Sequence, residues 1–181
     1  KMSADGRMIA YAEALTQIDL SEVWVWDGQS KSSTLVSVNL AGTGAAKGIA
    51  DTPAISADGR FVAFLSDATD LVANPTDGSF QVYVRDLVNG TTRLVSAKAD
   101  GSAGGSCEGA APTLSADGRV IAFESFDGGL VTHDENSLDD VFALDLTGGV
   151  VALVSQVVSD LASQTPSGES FAGASSISAD E

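Results

Sequence analysis

The chain has 181 residues, of which 44% are hydrophobic, so it is long enough and apolar enough to fold around one core. Its 25 acidic and 9 basic residues give a formal net charge of -16, which repels phosphate backbones and argues against nucleic acid as a partner. The single cysteine, Cys107, excludes an intrachain disulfide and any multi-cysteine metal site.

Membrane insertion is not expected, because no apolar run approaches the roughly 20 residues that span a bilayer. The scarcity of cysteine suits an exported protein without a disulfide framework, so we predict a periplasmic, cell-surface or secreted location. No signal peptide precedes the first repeated motif, and we therefore expect an excerpt or processed product of a longer chain. The acidity would attract cations such as calcium, or it serves only solubility.

A pentapeptide, Ser-Ala-Asp-Gly-Arg, recurs along the chain, and a truncated fourth copy begins at 178–181. The three complete copies span Ser3–Arg7, Ser56–Arg60 and Ser115–Arg119. Self-similarity at such a period is typical of repeat architectures. Within a single domain of residues 1–181, it defines the repeat units 3–55, 56–114 and 115–177.

The first unit predicts short strands separated by turns. Met8–Ala12 follows the Asp5-Gly6 turn, and Glu22–Asp27 alternates polar and apolar residues in the manner of a half-buried strand. Thr34–Val38 and Thr52–Ile55 are two further strands, and a loop of small residues at 41–48 lies between them.

The second unit repeats this plan. Its predicted strands are Arg60–Ser66, Gln81–Asp86, Thr92–Ser96 and Ala111–Leu114. Asn89-Gly90 predicts a two-residue hairpin between the second and third of them. A loop rich in glycine and serine, at 100–109, precedes the last strand.

The third unit completes the pattern. Its predicted strands are Arg119–Ser125, Asp140–Asp145, Val150–Ser155 and Ala174–Ile177. No segment has helical periodicity, so the fold class is all-β. About four short antiparallel strands per unit, repeated in series, predict a β-propeller of about three blades. The Asp-Gly pair of each pentapeptide is expected to form the turn between two strands of a blade.

Two longer motifs carry a family resemblance. Pro53–Phe64 and Pro112–Phe123 follow the pattern Pro-x-Ile/Leu-Ser-x-Asp-Gly-Arg-x-x-Ala-Phe, and Asp77–Leu87 and Asp134–Leu146 share a second pattern that ends in a strand. The units resemble the bacterial WD-type repeats of TolB-like propellers. That resemblance implies a closed ring of more than three blades, within the roughly four to eight usual for propellers. A partial ring, completed by missing sequence or by another copy of the chain, is therefore expected.

One loop gathers candidate metal ligands. Asp134, Asn136 and Asp140 place oxygen atoms just before a strand, with Glu135 and Asp139 adjacent. Calcium favours clusters of carboxylate and amide oxygens, so these three residues predict a calcium site as the one candidate cofactor site. The alternative is that the side chains cap the turn and meet solvent.

Catalytic signatures are weak throughout the chain. Gly105–Gly109 places Cys107 in a Gly-x-nucleophile-x-Gly pattern, but no helix follows to form the strained elbow of a hydrolase. The only histidine, His133, lies in another loop, and Gly42-Thr43-Gly44 lacks the residues of a phosphate loop. We therefore predict that the chain is not an enzyme.

Aromatic side chains offer a different kind of site. Trp24, Trp26 and Tyr83 are candidates for binding, and Trp24 and Trp26 share one face of their strand by the two-residue period, so they could line a carbohydrate platform. The alternative is that all three pack between blades.

Three functional hypotheses follow. The leading one is a non-enzymatic propeller scaffold or protein-binding module of an exported bacterial protein, whose partner is another protein or another copy of the chain. The second is a lid or regulatory propeller of a larger hydrolase, such as an oligopeptidase. The third is a calcium-stabilised surface or adhesion protein.

Overall fold

The computed structural model describes residues 1–15, 20–74, 76–104, 106–107, 110–132, 134 and 138–155. Within these ranges all regular elements are strands: β1 Met8–Leu15, β2 Leu20–Asp27, β3 Ser32–Leu35, β4 Ala50–Ile55, β5 Phe61–Ser66, β6 Gln81–Asp86, β7 Thr91–Leu94, β8 Thr113–Leu114, β9 Val120–Ser125, β10 Asp140–Asp145 and β11 Ala152–Leu153. The predicted strand Ala174–Ile177 and the fourth motif copy at 178–181 lie outside the described residues.

The strands form three antiparallel sheets, each of which is a simple meander. The first contains β1-β2-β3, the second β4-β5-β6-β7, and the third β8-β9-β10-β11. In the first sheet Met2 bridges to Ile9, at the place where Ile55 pairs with Val62 in the second sheet. The all-β fold of antiparallel blades predicted from the sequence is confirmed.

The sheets are offset from the sequence repeat by one strand. Ser56 lies between β4 and β5 of one sheet, and Ser115 lies between β8 and β9 of the next. Each complete pentapeptide of the second and third sheets therefore connects the first two strands of one blade, as the Asp-Gly turn predicts.

One turn prediction was wrong. Asn89-Gly90 is part of a four-residue connection, because Asp86 pairs with Thr91 and leaves residues 87–90 between them. The Asp86 carboxylate accepts hydrogen bonds from the backbone N–H of Val88 (2.9 Å) and of Asn89 (3.1 Å). These bonds stabilise a wider turn than the Asn-Gly pair alone would form.

The serine, aspartate and glycine of each pentapeptide form one compact turn. Taking the second copy, Ser56 Oγ donates to Asp58 Oδ1 at 2.5 Å and accepts the N–H of Phe61 at 3.0 Å. Asp58 Oδ1 also accepts the N–H of Arg60 at 2.9 Å. Gly59 has a φ of 74°, a conformation that an L side chain strains. The same bonds recur in the first and third copies.

The alanine of each pentapeptide connects one blade to the next. Ala4 N–H donates to the carbonyl of Ala57 at 2.9 Å, and Ala57 N–H donates to the carbonyl of Ala116 at 3.0 Å. We name this pair of bonds the alanine ladder. Because each bond joins two successive turns, the motif is both a turn within a blade and a connection between blades.

The arginine of each pentapeptide reaches the end of a strand in its own sheet. Arg60 donates from Nε (3.2 Å) and Nη2 (2.7 Å) to the carboxylate of Asp86, and Arg7 makes the same two-fold contact with Asp27. Arg119 lies farther from Asp145, with Nη2 to Oδ2 at 3.7 Å. A two-point contact of this kind fixes the orientation of the arginine side chain in addition to pairing the two charges.

The Arg60–Asp86 pair predicts a pH dependence of stability. The bonds from Arg60, and then those from the Asn89 and Val88 amides, lower the pKa of Asp86 to about 2 from its ordinary 3.8. A carboxyl group with a lowered pKa contributes its stabilisation above pH 4 and loses it as the pH falls towards 2. In urea unfolding, the difference between the wild type and Asp86→Asn should therefore shrink between pH 4 and pH 2.

The matched control is Asp145→Asn, at the equivalent position of the third sheet, where the arginine contact is longer. It should show a smaller difference from the wild type at pH 7 than Asp86→Asn does. A gap for Asp86→Asn that stays constant down to pH 2 would contradict this assignment.

The core consists of two layers between the sheets. One layer, between the first and second sheets, includes Val23, Val25, Val62, Phe64 and Tyr83. The other, between the second and third sheets, includes Ala63, Leu65, Ile121, Phe123 and Phe142. Since neighbouring residues of β5 enter different layers, the second sheet is buried on both faces, as expected for a blade between two others.

Candidate functional site

The predicted calcium ligand Asp140 lies at the first position of β10 and is 4% exposed. Its Oδ1 accepts a hydrogen bond from Ser155 Oγ at 2.5 Å, and the same hydroxyl accepts the N–H of Val141 at 3.2 Å. In the second sheet, Gln81 and Ser96 form the equivalent arrangement, with Ser96 Oγ to Gln81 Oε1 at 2.7 Å. One oxygen of Asp140 therefore serves a structural bond that recurs between blades.

The second oxygen of Asp140 has a different environment. Oδ2 is buried and has no hydrogen-bond partner among the described residues. A buried carboxylate oxygen in this state is costly unless a cation or a water molecule binds it.

The other predicted ligands are only partly described. Both carboxylate oxygens of Asp134 are buried, and Asp139 is buried beside Asp140, whereas Asn136 lies outside the described residues. Across the part of the chain that the structure describes, no group of three or more His, Cys, Asp or Glu side chains is arranged to hold a metal ion. A calcium site here would need Asn136, backbone carbonyls or water in addition, and it stays a prediction.

Cys107 is buried in the layer between the second and third sheets. Burial raises the pKa of its thiol to about 11, which keeps it protonated at neutral pH. His133 lies outside the described residues. Among the described residues Cys107 packs in the core, and this agrees with the weak match of Gly105–Gly109 to a hydrolase motif.

The aromatic candidates have separated roles. Tyr83 is fully buried and stacks on Phe64, with 5.8 Å between ring centroids, so it cannot line an open platform. Trp24 and Trp26 are half-buried and lie opposite the face of β2 that carries Val23 and Val25. Trp24 Nε1 donates to Glu22 Oε2 at 3.1 Å.

The strand pairing shows which residues of the second sheet occupy the position of Tyr11 and Trp24. Phe64 pairs with Tyr83 in the second sheet, and Tyr11 pairs with Trp24 at the same place in the first. The pair in the second sheet is buried against the first sheet, whereas Tyr11 and Trp24 face away from the second sheet. We name Ile9, Tyr11, Trp24 and Trp26 the aromatic face.

The third sheet also exposes, on its outer face, a position that is buried in the other two sheets. Its Leu-Val-Ser segment includes Val154, which is 55% exposed, whereas the equivalent residues Val36 and Val95 are 0% exposed. Both of these valines lie in a layer against the following sheet. Among the described residues, the two outer faces of the three-sheet stack thus carry apolar side chains without a neighbouring sheet.

Sequence reasoning found Trp24 and Trp26 but missed Tyr11 and the alanine ladder. Aligning the three units could have found Tyr11, because it occupies the position of Phe64 and Phe123 in the motif. The ladder leaves no side-chain signal, because its bonds use only backbone atoms. None of the described residues forms a helix long and apolar enough to cross a membrane.

Comparison with known proteins supports the fold through structure alone. No protein-family model matches the sequence, and no curated protein matches it. A structure described as TolB from Agrobacterium tumefaciens is 24% identical over 84% of this chain and 46% of its own, with a TM-score of 0.54. TolB from Acinetobacter baumannii is 22% identical, with a TM-score of 0.50 over 84% of this chain and 31% of its own.

The β-propeller domain of the Trilobed protease from Pyrococcus furiosus is similar at 15% identity, with a TM-score of 0.51 over 81% of this chain and 38% of its own. These likenesses show the fold, and they confirm the resemblance to TolB-like β-propellers that the repeated motifs indicate. The chain spans less than half the length of each of the three similar proteins.

Proposed function

We propose that this chain is a non-enzymatic segment of a larger β-propeller, which serves as a scaffold or protein-binding module of an exported bacterial protein. The observation that carries the proposal is the aromatic face. It repeats the position of a buried interblade pair, yet it faces no sheet among the described residues.

The chemistry of the face identifies what would cover it. Phe64 and Tyr83 show that this position is buried by the small aliphatic face of the preceding blade, which supplies Val23 and Val25. The aromatic face would pack against the same kind of surface, from another part of the parent protein or from a second copy of the chain. The exposed Val154 face at the other end of the stack offers such a surface, so copies could associate head to tail.

Intrinsic fluorescence can test this directly, because Trp24 and Trp26 are the only two tryptophans of the chain. Sedimentation velocity and tryptophan emission should be measured together over a concentration series. We expect association, accompanied by a shift of the emission maximum to shorter wavelength as the face is buried. Trp24→Glu should weaken the association, whereas Val88→Glu, at an exposed position of the turn after β6, should not. A chain that stays monomeric with unchanged emission would contradict head-to-tail association of copies through the aromatic face.

A second candidate is a lid or regulatory propeller of a larger hydrolase. It is favoured by the similarity to a protease's propeller domain and by the small share of each similar protein that the chain spans. Under this proposal the catalytic residues belong to a part of the parent protein beyond this chain. A parent coding sequence without an adjoining hydrolase domain would rule it out.

Calcium is proposed as a stabilising ion at the β10 loop, because Asp140 Oδ2 is buried without a partner in the described part of the chain. Binding to the folded state alone raises the melting temperature by mass action. We expect millimolar calcium to raise the melting temperature and a chelator to lower it, with magnesium less effective.

The calcium effect should disappear in Asp140→Asn and persist in Glu22→Gln, the equivalent position of the first sheet. A melting temperature that responds to neither calcium nor chelator would exclude the site.

A further inference from the structure

A groove of about 800 Å³ surrounds β7, the last strand of the second sheet. Leu94 and Val95 form its floor, and Val72 lines it on the side of the first sheet. Leu130 and Val150 line it on the side of the third sheet. The strand edge therefore lies at the centre of the groove.

The floor of the groove belongs to the buried core, and its rim is apolar and exposed. Leu94, Val95 and Leu130 are all buried members of the two core layers. At the rim, Leu40 is 62% exposed and Val150 is 83% exposed. Exposed aliphatic side chains around a buried apolar floor are typical of a binding groove for another chain.

The backbone of β7 presents unpaired groups to the groove. Val95 donates its N–H to the carbonyl of Val82 at 2.8 Å. Because every second residue of an antiparallel strand bonds the same neighbour, the backbone N–H and C=O groups of Arg93 also face β6. Thr92 and Leu94 then direct their backbone N–H and C=O groups away from β6. Among the described residues these groups have no partner, since β7 pairs only with β6. An edge of this kind accepts an added strand.

The charge of the groove is opposite to that of the chain. Among the described residues its lining includes Arg93 and Lys98 and no carboxylate side chain, although the chain has 25 acidic and 9 basic residues. Lys98 Nζ pairs with Asp127 Oδ2 at 3.1 Å. Arg93 is exposed, and Nη1 donates to the carbonyl of Leu146 at 3.1 Å, which holds the guanidinium at the rim. A carboxylate of a ligand would meet a cation here.

We propose that the groove binds an extended peptide segment of a partner protein, in which aliphatic and acidic residues alternate. The segment adds as a strand to the edge of β7 and bonds the backbone of Thr92 and Leu94. Because side chains of an extended strand alternate in direction, one set enters the apolar groove while the other places a carboxylate beside Arg93.

The test is fluorescence anisotropy with a labelled hexapeptide of alternating valine and aspartate, titrated with the full 181-residue chain at physiological salt. Binding is expected even though the net charge of -16 repels the peptide at long range, because that repulsion is screened beyond about 8 Å. A peptide of alternating valine and lysine should bind more weakly. Arg93→Glu should weaken binding of the acidic peptide by about tenfold or more, and Arg93→Lys should retain most of it.

Lys47→Glu is the matched control, because it makes the same kind of charge reversal at an exposed site outside the groove. Its affinity for the acidic peptide should equal that of the wild type. The proposal is overturned if the acidic peptide does not bind, if the two peptides bind equally, or if Arg93→Glu and Lys47→Glu behave alike. It is also overturned if Arg93→Glu abolishes self-association and leaves peptide binding intact, since the occupant would then be a second copy of the chain.

Discussion

Replacing Gly118 by alanine is expected to lower the free energy of unfolding by about 2–5 kcal/mol. Gly118 has a φ of 68°, and a side chain in this region of backbone space costs about 1–2 kcal/mol. In addition, a Cβ at this position would overlap the ring of Phe61, which belongs to the preceding blade. Overpacking of this kind costs a further ~1–3 kcal/mol, because the ring or the backbone must shift to admit the new atom.

The repeat supplies two matched controls at the same motif position. Gly6→Ala has the same strain, at a φ of 72°, but among the described residues its Cβ would meet only Met2 Sδ, at 3.9 Å, so it should cost only the backbone strain. In Gly59→Ala the Cβ would come within 2.8 Å of Met8 Cγ, and the flexible methionine can partly give way. Urea unfolding should therefore rank the losses as Gly118, Gly59 and Gly6. Three equal losses would mean that the glycines are required only for their turns.

Phe123→Ala is expected to lower the free energy of unfolding by about 3–5 kcal/mol. Phe123 is 1% exposed and stacks on Phe142 with 5.7 Å between the ring centroids, in the layer that joins the second and third sheets. Removing the ring leaves a cavity among side chains from both sheets. Since domains of this size are stable by only about 5–15 kcal/mol, the variant should lose a large part of its stability.

The control is Phe126→Ala, three residues further along the chain, because it removes the same ring from a residue that is 45% exposed. Its effect on urea unfolding should stay within about 0.5 kcal/mol. If Phe123→Ala does not fold, Phe123→Leu retains most of the buried volume and should show a smaller loss in the same direction. Equal effects at Phe123 and Phe126 would contradict the assignment of the interblade core.

Strands with strong periodicity were predictable from the sequence. Gln81–Asp86 and Asp140–Asp145 match β6 and β10 residue for residue, because apolar and β-branched residues fill them and polar residues bound them. The third strand of the first two blades was placed too late, as in Thr34–Val38 against β3 at Ser32–Leu35, and Val150–Ser155 extends beyond β11 at both ends. The reason is a side chain: Ser37 Oγ accepts the N–H of Val23 at 3.1 Å, where a ladder bond would otherwise continue.

The candidate sites were predictable only in part. Asp140 was selected for its carboxylate, but a single repeat unit does not reveal that Ser155 binds one of its oxygens. That information lies in the register of two strands, and the parallel between Gln81 and Ser96 becomes visible only once the strands are paired. The groove around β7 was not predicted at all, because its lining combines β7 with segments of other blades that are far apart in sequence.

The central claim is that the repeated pentapeptide joins successive blades through the alanine ladder. Amide hydrogen exchange of the motif residues, resolved by NMR, tests it most directly. Ala4 and Ala57 donate to the next turn, whereas the amide of Asp58 in the same turn has no hydrogen bond among the described residues. Ala4 and Ala57 should exchange at least about a hundredfold more slowly than Asp58. Equal exchange at the three amides would contradict the claim.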